Sequence, residues 1–88
     1  MKIASRPAAP AQLQRAHQAW ERGVSLSRKG QWLDALAAFE AALVIAPKDG
    51  LYLVNAARAA FKCGKHEETV SLADRALSVD PSDEIAET

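Results

Sequence analysis

Residues 16–49 repeat at residues 50–83, a shift of 34. Gly30 falls on Gly64, Ala42 on Ala76, Leu43 on Leu77, Pro47 on Pro81 and Asp49 on Asp83. Arg28/Lys62, Asp34/Glu68, Leu36/Val70, Glu40/Asp74 and Ile45/Val79 agree in kind. The identities are few, but they fall where helices begin, turn and end. A unit of this length that occurs twice constrains the fold more than composition does, because each copy must find a neighbour for its apolar face.

Each copy reads as two helices. Gly30 and Gly64 each separate two helical patterns, as a tight turn needing a left-handed backbone requires. From Trp32, apolar residues recur at 35, 36, 39, 42 and 43, a stripe along one helix face. Pro47 and Pro81 stop the helices, since proline lacks the amide donor and crowds the preceding turn. Asp49 is placed to cap the following helix and Ser82 another near the C-terminus; Pro10 suits a first helical turn. The spacing predicts helices over 10–29, 32–45, 50–63 and 66–79, with no strand. Loops this short make neighbouring helices antiparallel. The shared stripes place Trp32, Leu36, Phe39, Leu43, Leu53, Ala57 and Leu77 in one core.

Composition agrees with close-packed helices. Of 88 residues, 49% are hydrophobic, dominated by alanine, and only 6% aromatic. The net charge is zero, which gives no signal for nucleic acid or a membrane surface, and no stretch approaches a membrane span. The charge is unevenly spread: residues 1–30 carry six bases and one acid, residues 66–88 seven acids and one base. Cys63 is the only cysteine, which excludes an intrachain disulfide and points to a reducing, cytoplasmic setting. The expected organisation is a flexible tail over 1–9, a repeat domain over 10–83 and, at 84–88, a tail or the start of a further helix.

With its period, its small residues and its prolines, the chain resembles the tetratricopeptide repeat. The first copy supplies Gly23, Leu26, Ala35, Phe39, Ala42 and Pro47; the second supplies Leu53, Ala56, Ala57, Ala60, Ala76 and Pro81. It departs from the pattern at Ala19, where a bulky residue is usual, at Arg22, where an apolar one is, and at Thr69 and Ala73. The resemblance implies an all-α, right-handed solenoid of helical hairpins, two units and four antiparallel helices. The first helix of each unit would line a concave groove that binds a peptide or partner protein. Two units leave an apolar end uncovered, which favours self-association.

That groove is the candidate site. Asn55, Arg58 and Lys62 share one face at i, i+3 and i+7, beside Glu21 and Val24 from the first copy. The resemblance implies that Asn55 holds a peptide backbone, while Arg58 and Lys62 suit an acidic ligand. Glu21 and Val24 stand where a fuller peptide clamp has other residues. Trp20 belongs to a second stripe with Leu13, Ala16, His17 and Val24; it either packs under the N-terminal segment or lines the groove. No metal, cofactor or catalytic constellation is expected. His17, His66 and Cys63 read as surface or packing residues, and Glu67 and Glu68 as solvated acids favoured by a helix N-terminus. The functional classes left open are an interaction module, the substrate-recruiting region of a larger enzyme such as a glycosyltransferase, and a small secretion-type chaperone.

Overall fold

Four helices follow one another without a strand in the computed structural model, which describes residues 10–79. They are α1 (Pro10–Arg28), α2 (Trp32–Ile45), α3 (Gly50–Lys62) and α4 (His66–Ser78). All four begin at the residues the spacing predicts. Three end one residue early, because Lys29, Cys63 and Val79 serve as the terminal turn or cap. The tail at 1–9, Pro81, Ser82 and the segment 84–88 lie outside the described residues.

The two hairpin turns are built alike. Gln31 N donates to Leu26 O at 2.9 Å and Gly30 N to Ser27 O at 2.9 Å; Lys65 N donates to Ala60 O at 2.9 Å and Gly64 N to Phe61 O at 3.0 Å. This paired closure needs a left-handed residue just past the helix, supplied by Gly30 at φ 75° and Gly64 at φ 76°. The link from α2 to α3 uses a side chain instead. Asp49 Oδ1 accepts from Tyr52 N at 3.0 Å, satisfying a donor that the first turn of α3 leaves free.

Each helix packs extensively on the next in the chain: α1 on α2, α2 on α3, α3 on α4. The seams are closed by small residues. Ala35, Ala42, Ala56, Ala59 and Ala60 are fully buried around Phe39 and Leu53, with Leu36, Leu43, Tyr52 and Leu72 completing the core. Gly23 shows how close α1 comes to α2. A Cβ built there would lie 2.5 Å from Phe39 Cε1 and 2.6 Å from its Cδ1, so the ring occupies the space a side chain would fill.

Three core expectations change. Leu77 is 84% exposed, whereas its partner in the repeat, Leu43, is 6% exposed. The residue type is the same; α3 covers Leu43, and no described helix follows α4 to cover Leu77. Trp32 is half-buried rather than enclosed, packing against the core only in part. Ala57 also packs against the core only in part.

Candidate functional site

On the side where α1 and α3 run near one another lies a cleft of about 270 Å³. It is lined by Val24, Ser27 and Arg28 of α1, Trp32 of α2, and Asn55 and Arg58 of α3. Three of the expected groove residues, Val24, Asn55 and Arg58, thus meet in one place. Lys62 adjoins them: its Nζ stands 5.6 Å from the centroid of the Trp32 ring, and the Arg58 guanidinium 5.8 Å. Both lie within the range in which a cation is held by the ring's negative face. The Trp32 ring thus gathers two cations beside the cleft.

The other expected residues are placed differently. Trp20 is half-buried against the core, its ring stacked on Tyr52 with centroids 6.3 Å apart and tilted on His17 at 5.4 Å. It bridges α1 and α3 and does not line the cleft. Its Nε1 is buried and makes no hydrogen bond among the described residues. Glu21 is exposed and lies 3.1 Å from His17 Nε2, an i,i+4 pairing that the sequence reading did not anticipate. Asn55 Nδ2 donates to Leu51 O at 2.7 Å, so one amide proton is turned back to its own helix. Its carbonyl oxygen and second proton are the groups left for a ligand.

Arg28, Ser27 and Trp32 were missed as lining residues. Arg28 had a signal, since it stands opposite Lys62 in the repeat. Trp32 had none, because an aromatic at the start of a helix stripe looks like core until the depth of its burial is known. Ser27 also stays local, its hydroxyl donating to Gly23 O at 2.9 Å. The cleft thus presents Arg28, Arg58 and Lys62 around an indole face, with no carboxylate in its lining.

A larger hollow of about 360 Å³ lies between α2 and α4, lined by Glu40, Glu68, Ser71 and Arg75 among others. Its charges are already engaged. Arg75 donates to Pro47 O at 3.2 Å. The Glu40 carboxyl is pushed up to about 7, first by its hydrogen bond with Glu68, then by desolvation and by the Glu68 charge, with Lys65 pulling the other way. Glu68 is thus not the freely solvated acid expected; the turn of α4 brings it against α2. Among the described residues, Arg58 and Lys62 on the α1–α3 side instead meet the Trp32 ring.

Among the described residues no group of His, Cys, Asp and Glu could hold a metal ion, and no helix is long and apolar enough to cross a membrane. No family model matches the chain, and no curated protein matches it either.

Proposed function

We propose that the chain is a pair of tetratricopeptide-type hairpins, stacked as a short right-handed solenoid, that binds an acidic peptide or protein segment on its α1–α3 side. The 34-residue period supports the architecture, as do the like-built turns at Gly30 and Gly64, the tight contact of Gly23 with Phe39, and packing that runs from each helix to the next. In this reading α1 and α3 are the first helices of their units and their shared side is concave.

The observation that carries the function is the cleft with Arg28 and Arg58 in its lining and Arg58 and Lys62 laid over Trp32. An arginine fork pairs a carboxylate through two parallel hydrogen bonds, and a lysine adds a less directional charge. Holding the cations on the indole beforehand lowers the entropy lost when they are ordered by a ligand. Asn55 is beside them to meet a backbone amide. The small size of the cleft and its exposure set a modest affinity.

The test is selection of ligands from a peptide display library, followed by calorimetric titration. Arg58→Ala and Arg28→Ala should each weaken binding by about 1–2 kcal/mol, the worth of a charged hydrogen bond at a partly shielded site. The unfolding midpoint should hardly move, since both side chains are exposed. Selected peptides without acidic residues, or variants that bind as well as the original chain, would overturn the proposal.

A further inference from the structure

The far face of the second hairpin is apolar, and no described element covers it. On α3, Val54 is 56% and Phe61 57% exposed; on α4, Val70 is 59% and Leu77 84%. Ala57 and Ala73 lie between them, and the Phe61 ring meets His66 edge-on at 6.3 Å. The helical turn of 100° per residue puts Val54, Ala57 and Phe61 on one flank of α3, and His66, Val70, Ala73 and Leu77 on the adjoining flank of α4. Among the described residues no acid, lysine or arginine interrupts this face. In the first hairpin the counterparts of Val70 and Leu77 are Leu36 and Leu43, only 3% and 6% exposed, on the helix against which α3 packs. The surface is thus of a kind that this fold covers with a helix.

We infer that this face is a dimer interface, in which two copies of the chain meet about a two-fold axis running along the helices, so that α3 of each packs over α4 of the other. Two observations choose this arrangement. The first concerns head-to-tail stacking, which would lay α1 of a second copy on the face in the role that α3 plays inside the chain. There Arg22 would take the place of Ala56, which is 0% exposed, and a guanidinium would be buried in an alanine seam without a partner. The second is the charge at the rims. Beside the apolar flank of α3 stand Arg58 and Lys62, and beside that of α4 stand the exposed acids Glu67 and Asp74. An axis along the helices sets the basic rim of one copy against the acidic rim of the other. An axis across them would set acid against acid, which opposes association.

The area makes the dimer weak. A helix of 13 residues is about 20 Å long. With neighbours about 8–10 Å apart, the face measures roughly 20 Å each way, at the low end for a specific interface. A weak association is expected, with monomer dominating in dilute solution. The basic rim is shared with the cleft, but the apolar contact itself uses an adjoining flank of α3, Val54, Ala57 and Phe61, and does not depend on peptide binding.

The test is sedimentation equilibrium of the full 88-residue chain from about 1 to 500 μM, with two variants. A reversible monomer–dimer equilibrium that stops at the dimer is expected. Leu77→Glu should weaken it at least tenfold while leaving the thermal midpoint of the dilute monomer unchanged, since the side chain touches little else. Arg22→Glu should leave the dimer intact. Growth beyond the dimer that Arg22→Glu abolishes would show head-to-tail stacking and overturn the two-fold arrangement. A monomer throughout the range, or a dimer indifferent to Leu77→Glu, would overturn the interface itself.

Discussion

Replacing Gly23 by alanine sets two effects of known size against each other. By helix propensity alone, an interior glycine of α1 should be improved by alanine by about 0.8–1 kcal/mol. Packing says the opposite. The new Cβ would sit 2.5, 2.6 and 2.9 Å from three atoms of the Phe39 ring. Carbon atoms rest about 3.5–4.0 Å apart, so the ring must retreat by about 1 Å. Phe39 is 1% exposed and ringed by the other core residues, so no open space receives it. Overpacking of this kind costs about 1–3 kcal/mol, occasionally more. With three ring atoms in conflict the cost should reach or pass the upper end, leaving a net loss of about 2 kcal/mol or more after the propensity gain. In a domain of this size that lowers the thermal midpoint by about 4–8 °C per kcal/mol. Urea and thermal unfolding followed by helical circular dichroism measure it. Gly50→Ala is the control: its Cβ would meet nothing within 4 Å, and stability should hold or rise slightly. Combining Gly23→Ala with Phe39→Leu should cost less than the two single changes added together, because the smaller side chain vacates the contested space. A Gly23→Ala chain as stable as the original would refute the argument, and with it the closeness of α1 to α2.

Two further outcomes follow from the core and the α2–α4 hollow. Phe39→Ala should lose about 3–5 kcal/mol in denaturant unfolding, a large part of what a chain this short possesses; a loss under about 1 kcal/mol would put Phe39 outside the core. Glu40, raised from 4.5 to about 7, binds more protons folded than unfolded between those values, so stability should fall as pH rises through that window. Glu40→Gln keeps a hydrogen-bonding partner for Glu68 without the charge and should flatten the fall between about pH 4.5 and 7; unfolding curves across that range with unchanged slopes would count against the pairing.

What the sequence by itself determined was local. Helix starts at Pro10, Trp32, Gly50 and His66, turns closed by Gly30 and Gly64, and the Asp49 cap all follow from bonds within a few residues, and proline, glycine and aspartate advertise them. The face of each stripe was legible too, because 3.6 residues per turn fixes which side chains share a side. Covering of a face was not, since that depends on what another helix brings to it. Leu43 and Leu77 have the same place in the repeat and opposite fates, 6% and 84% exposed, because α3 lies on one and no described helix on the other. The cleft divides in the same way. Asn55 and Arg58 were found because they lie on one helix, a turn apart. That Arg28 of α1 and Trp32 of α2 stand beside them, or that Glu68 leans on Glu40 from a helix away, is a matter of distances across seams. Those distances are set by how closely alanines and one glycine let the backbones approach, and only the packed tertiary structure decides them.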